Sequence, residues 1–263
     1  MANLLRFEFR KVFRSKYLYI LLAAAIGYVL LTGGTTYLLY FFAKELSDEV
    51  VDEIVPNYTS YSFLKGILTS TFFMITSVFV SILACEDNGH GTSKNIFAKG
   101  YNRLQVYFSK YIASLVMDIA IALICVGVGA LFALAVFGAN TFDPGEDNVA
   151  VIILGLFLCV IVYHALHFAV ASSIGKMAGA IVFNLLVPTG LSLVLNILDI
   201  AAANIDLTKD WNITVSSYWI DGITANFAGK TNPDLYVADF ILIFVYLIAA
   251  ELVGVLIAKK KQY

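Results

Sequence analysis

Long apolar runs separated by short polar segments set the pattern of this chain. Read between charged residues, the runs are Tyr17–Phe42, Ser62–Cys85, Tyr107–Gly138, Val149–Ile174, Met177–Leu198 and Val237–Ala258. Each reaches the roughly 20 residues that carry an α-helix across a hydrocarbon core. Backbone amides find no water in lipid, so helices that bond their own amides are the expected form. A membrane β-barrel would need short alternating segments, and these runs do not alternate. The pattern predicts an all-α membrane protein of six spanning helices. No internal repeat, low-complexity tract or linker divides it, so a single membrane domain over residues 1–263 is the simplest organisation.

Composition agrees with this reading. At 60% hydrophobic and 14% charged residues, with mean hydropathy +0.84, a water-soluble domain of this length could not bury its apolar surface. The net charge of -2 conceals an asymmetry. Arg6, Arg10, Lys11, Arg14 and Lys16 precede the first run, and Lys94, Lys99, Arg103 and Lys110 fall between the second and third. Lys176 sits between the fourth and fifth, and Lys259, Lys260 and Lys261 follow the last. The other side carries Lys44, Lys65, Lys209 and Lys230. The positive-inside rule then places both termini in the cytoplasm. Acidic residues from Glu45 to Glu53, with Asp143, Glu146 and Asp147, fall outside and read as solvated loops. Ala23-Ala24-Ala25 resembles a processing site, but the apolar run continues to Phe42, so no cleaved signal peptide is expected. Cys85, Cys125 and Cys159 are odd in number and far apart, which suggests neither a disulfide framework nor a zinc site.

Residues 1–16 form a different element. At helical spacing Leu5, Phe9, Val12 and Phe13 share one side, and Arg6, Arg10 and Arg14 form a basic stripe. Such a helix lies in the interface with its basic side among anionic headgroups, then turns near Ser15 into the first span as an elbow. Between the second and third spans, Cys85-Glu86-Asp87-Asn88-Gly89-His90-Gly91-Thr92-Ser93-Lys94-Asn95 leads on to Gly100 and Arg103. Its glycines interrupt the helix, Lys94 to Lys99 reads as a short helix along the bilayer, and Gly100 ends it. The product is a compact basic knob suited to docking a soluble partner.

With a basic elbow, six spans, both ends inside and Glu86…Gly91-Thr92-x-Lys94…Gly100-x-x-Arg103 between spans two and three, the chain resembles the permease subunit of a type-2 ABC transporter with the ABCG-like exporter fold. The resemblance implies that residues 86–106 form a coupling loop, in which Glu86, Gly91, Thr92, Lys94, Gly100 and Arg103 engage a nucleotide-binding subunit. It implies short capping helices in the outer segment 199–236, where Thr214 to Phe227 is a candidate. It implies a homodimer, or a pair with a paralogous permease, bound to two copies of a cytoplasmic ATPase. MgATP would then sit on the partner, with no cofactor in this chain and no nucleic-acid partner. Gly229-Lys230-Thr231 looks like the end of a phosphate loop, but Thr224 stands where the earlier glycine is required. The compact size resembles exporters of amphipathic, antimicrobial or toxin peptides in the plasma membrane of Gram-positive bacteria, and lipid-like cargo is equally suited.

Asp118, His164, His167 and Glu251 fall well inside apolar runs. An intramembrane carboxylate costs on the order of 2.5–3.5 kcal/mol at mid-helix, so each should face protein or a wet cavity. Together they could line a transport route or hold helices together by hydrogen bonds. His164-x-x-His167 puts both rings on one side of a helix, but no metal site is expected. Pro188-Thr189-Gly190 predicts a bend or hinge in the fifth span. The alternatives are an intramembrane protease, for which Gly190-Leu191-Ser192-Leu193 is a poor nucleophile motif, and a channel or proton-coupled transporter using Asp118 and Glu251.

Overall fold

The computed structural model describes residues 1–46, 60–89, 96–138, 142, 144, 147–203, 214–229 and 236–260. Among them are helices and turns, with no strand. The helices are α1 (Ala2–Arg14), α2 (Lys16–Leu46), α3 (Ser60–Lys65), α4 (Ser70–Gly89), α5 (Arg103–Val136), α6 (Val149–Ile174), α7 (Met177–Ala203), α8 (Ile220–Ala228) and α9 (Tyr236–Lys260). A 3-10 turn at Val215–Tyr218 precedes α8. Six spans are long and apolar enough to cross a membrane: α2, α3 with α4, α5, α6, α7 and α9.

The centre is α6, which packs against α4, α5, α7, α8 and α9. Its inward positions are small or aromatic: Gly155, Cys159, Val162, Ala165, Phe168 and Ala171 are all buried. Close approach depends on missing side chains. A Cβ on Gly155 would lie 2.5 Å from the Phe227 ring of α8, so the glycine admits that ring against α6. Gly254 of α9 likewise faces the Tyr107 hydroxyl of α5, leaving no room for a methyl group. Side-chain bonds add to the packing. Asn184 of α7 donates through Nδ2 to Ser81 Oγ of α4 at 2.9 Å and to the His167 carbonyl of α6 at 3.0 Å. Cys85 Sγ donates to the Ala171 carbonyl at 3.3 Å. The three cysteines are buried free thiols.

One feature departs from the sequence reading. The second span is broken between α3 and α4, where the Gly66 amide meets the Ser62 and Phe63 carbonyls and the coil tightens. The break seats Ile67 and Leu68 in the core and brings Thr69 within 3.0 Å of the Tyr28 hydroxyl of α2. Hydropathy cannot register it, because the inserted residues are themselves apolar. In α7 the helix runs through Pro188, inside the fifth span read from the sequence. The Thr189 hydroxyl donates to the Leu185 carbonyl at 2.9 Å, adding a bond within the turn that the proline weakens.

Candidate functional site

At the face of the bundle that carries both termini, α1 lies against α5. Its packed side is Leu4, Glu8 and Val12, with Lys11 beside them. Leu5 and Phe9 are half-buried, while Phe13 and Phe7 are exposed, as are Arg6, Arg10 and Arg14. At 100° per residue the helix therefore has three sides: one packed on the protein, one apolar, and one basic. The sequence showed the last two. The docking side was missed because a glutamate interrupts it.

That glutamate belongs to a charge node. Lys11 Nζ is 2.7 Å from Asp87 Oδ1 and 3.2 Å from Glu86 Oε2, and Lys110 Nζ is 2.6 Å from Asp87 Oδ2. Glu8 is 3% exposed within the same group. Burial pushes its carboxyl above the usual range, Lys110 and Lys11 pull it back down, and Asp87 and Glu86 push it up again. For Lys11 burial disfavours the charge, yet the carboxylates of Asp87, Glu8 and Glu86 outweigh it and the ammonium is held above its ordinary value. The node joins α1, the end of α4 and the start of α5.

A small apolar cluster seals it, with Leu4 of α1 packed on Ile96, Phe97, Tyr101 and Val106. The chain turns there at Gly100 (φ +83°), and Asn102 then caps α5 in a reciprocal capping box with Gln105. Arg103 donates through Nη1 to the Lys259 carbonyl at the end of α9, 3.1 Å away. Gly91, Thr92 and Lys94 lie outside the described residues, so of the sequence-derived loop set Glu86, Gly100 and Arg103 are placed.

Deeper in the bundle, His164 Nδ1 faces Asp118 Oδ2 at 2.6 Å and His164 Nε2 faces Ser114 Oγ at 3.1 Å. All three side chains of this serine–histidine–carboxylate row are buried. Tyr111 lies edge-on to His164 at 5.1 Å and, with Tyr107, neighbours Glu251. The row thus spans α5, α6 and α9. His167 departs from the expectation of one shared side. At i, i+3 the two rings differ by about 60° around the helix, enough for His164 to meet α5 while His167 turns to α4 and α7. No group of three metal-ligating side chains forms among the described residues.

His167 reaches a cavity of about 540 Å³ near the face opposite the termini. Phe73 and Met74 of α4, Tyr163 of α6, Pro188 and Ser192 of α7, and Trp219 beside α8 are among its walls. Asp221 projects from the first turn of α8 and accepts bonds from the Tyr163 hydroxyl, the Ser192 hydroxyl and Trp219 Nε1. Ser192 is therefore a partner of Asp221, not of either histidine. Two more locks hold this end. Lys65 Nζ bonds Asp147 and the Gly229 carbonyl, each at 2.8 Å. Asp199 accepts the Val215 amide at 2.5 Å and the Ser216 amide at 2.9 Å. Pro188 also touches the cavity, whereas Gly190 is exposed on the outer side of α7.

A bundle with six spans long and apolar enough to cross a membrane, and a first helix docked on it, defines a multi-pass membrane protein. The model of the ABC-2 family transporter protein matches residues 4–199, from α1 into the last turns of α7, and the chain belongs to that family. It is accordingly the membrane component of an ABC-2 type transporter, with no catalytic domain of its own, and membership implies a partner ATPase. No curated protein and no solved structure matches the chain.

Proposed function

We propose that this chain is the transmembrane subunit of an ATP-driven exporter, moved by a separate ATPase subunit that holds MgATP. The observation that carries the reading is the charge node. Glu86 and Asp87 lead directly into the loop at residues 90–95, and Lys11 and Lys110 clamp them to α1 and α5. A push on that loop moves three helices together. Gly91, Thr92 and Lys94 are assigned to the ATPase contact, Gly100 and Arg103 to the return of the chain. Arg6, Arg10 and Arg14 rest among headgroups. The terminus-bearing face is the cytoplasmic one in this account, supported by its basic residues.

A dimer is supported by α7. Leu186, Leu193 and Ile200 are among its many exposed residues, yet Thr189, Gly190 and Asn196 are exposed with them. Small and polar residues on a spanning helix suit contact with another helix better than contact with lipid. Two copies, or this chain with a paralogue, would enclose the pathway, with Pro188 and Gly190 as the flexing point of α7. The row of Asp118, His164 and Glu251 holds α5, α6 and α9 in register, and His167 serves the pathway. The cargo is an amphipathic peptide, of the antimicrobial or toxin kind, or a lipid-like molecule, exported across the plasma membrane of a Gram-positive cell. The mixed apolar and polar cavity supports that class.

The test is reconstitution with an ABC ATPase that co-purifies with the chain. ATP-dependent movement of a fluorescent amphipathic peptide into inside-out proteoliposomes is expected. Failure of any ATPase to co-purify, or equal transport without ATP, would refute the reading.

A further inference from the structure

Resting on the exporter reading, we propose that the cavity beneath α8 is a cation-recognition site with Asp221 as its acceptor. The cargo it takes presents an ammonium or guanidinium group next to an apolar segment, which narrows the cargo to cationic amphipaths.

Among the described residues the charge of Asp221 meets no cation. Its three donors, the hydroxyls of Tyr163 and Ser192 and the indole of Trp219, are all neutral. Among the described residues no lysine, arginine or histidine forms an ion pair with it, and Lys65 is committed to Asp147. Helix capping does not account for the carboxylate. The N-cap of α8 is Trp219, no side chain caps the helix, and the Asp221 oxygens turn to α6, α7 and the indole instead. The three donors fix the direction of the carboxylate.

The surroundings suit a cation on an apolar stem. Tyr163 stacks on Phe73 with ring centroids 3.9 Å apart, and both line the cavity with Trp219. Aromatic faces attract ammonium and guanidinium groups. His167 supplies a second, independent observation. It is 4% exposed, lines the cavity, and its Nδ1 has no hydrogen-bond partner among the described residues. A buried ring nitrogen without a partner can accept an N–H from a ligand. The volume of about 540 Å³ falls in the range of small-ligand pockets, enough for one or two side chains and too small for a folded peptide.

The experiment uses the full chain carrying Trp211→Phe, in phosphatidylcholine nanodiscs, so that Trp219 is the remaining fluorophore of the two tryptophans. A tryptophan-free, lysine-containing amphipathic peptide is titrated against the same peptide with its lysines acetylated. Saturable change in Trp219 emission is expected, with the lysine form binding on the order of tenfold tighter, the scale of one charged hydrogen bond. Asp221→Asn should erase the difference. If that variant does not fold, Asn196→Asp adds a carboxylate to the same wall and should tighten only the lysine form. Equal binding of both peptides by the parent chain would overturn the proposal, as would undiminished selectivity in Asp221→Asn. ATP-driven export of both peptides alike by the ATPase complex would sink this proposal and leave the exporter reading standing; export of neither would sink the exporter reading.

Discussion

Lys11 and Asp87 lie 76 residues apart in the chain and meet in a 2.7 Å charged hydrogen bond. The second oxygen of the same carboxylate takes Lys110 at 2.6 Å. One aspartate thereby fastens the first helix and the start of the third span to the end of the second.

A double-mutant cycle of Lys11→Ala and Asp87→Ala should give a coupling energy of about 1–3 kcal/mol, the range for charged hydrogen bonds and contacting pairs. Thermal unfolding in detergent provides the measurement. Lys11→Ala should also reduce peptide-stimulated ATP hydrolysis by the complex more than basal hydrolysis, because it loosens transmission and leaves the ATPase intact.

Glu8 gives the node a pH signature. Its carboxyl is held above the ordinary value by burial, against the pull of Lys110 and Lys11 and with a further push from Asp87 and Glu86. A raised carboxyl contributes stability that is fully present below its unfolded value, about 4.3, and is lost as pH rises through the folded value. Glu8→Gln should therefore be more stable than the parent at pH 7, and the advantage should shrink to nothing as pH falls toward 4. Lys11, also raised, keeps its contribution across this whole range and loses it only in alkali. Melting temperatures from pH 4 to pH 8 test the sign.

The Asp118–His164 pair is sealed from solvent, so it should matter for folding more than for chemistry. Asp118→Asn, which can still bond the ring, should melt close to the parent. Asp118→Leu should cost on the order of 1–2 kcal/mol, the upper range for hydrogen bonds between spanning helices. Unimpaired melting combined with lost transport in Asp118→Asn would instead make the carboxylate part of the pathway.

Gly254 faces the Tyr107 hydroxyl with no space between them. Gly254→Ala should lower stability by about 1–3 kcal/mol through overpacking. Adding Tyr107→Phe removes the clashing oxygen and should restore part of the loss, which melting of the single and double variants reads directly.

The spans were legible because lipid imposes long apolar runs, and α6 keeps the bounds read from the sequence, Val149–Ile174. What stayed hidden depended on rotation and distance. Glu8 looks like a misplaced charge on an apolar stripe until Lys11, Asp87 and Lys110 converge on it. Asp118 and His164 were expected to face protein or a wet cavity, but only helix rotation decides that they pair while His167 turns to the cavity. The break at Gly66 lies among apolar residues and leaves hydropathy unchanged. Asp221 sits in a polar segment, where any acidic residue reads as solvated. The tyrosine, serine and tryptophan that hold it come partly from helices α6 and α7, far along the chain.

Cross-linking from the loop tests the central claim most directly. A cysteine-free chain carrying Lys94→Cys, labelled with a photo-activatable group and co-expressed with its partner ATPase, should cross-link to that ATPase in inside-out vesicles. Tyr218→Cys at the opposite face should not. A cross-link from Tyr218 instead of Lys94, or ATP-independent peptide transport by the chain alone, would contradict an account in which a separate motor grips this membrane subunit through the loop after Asp87.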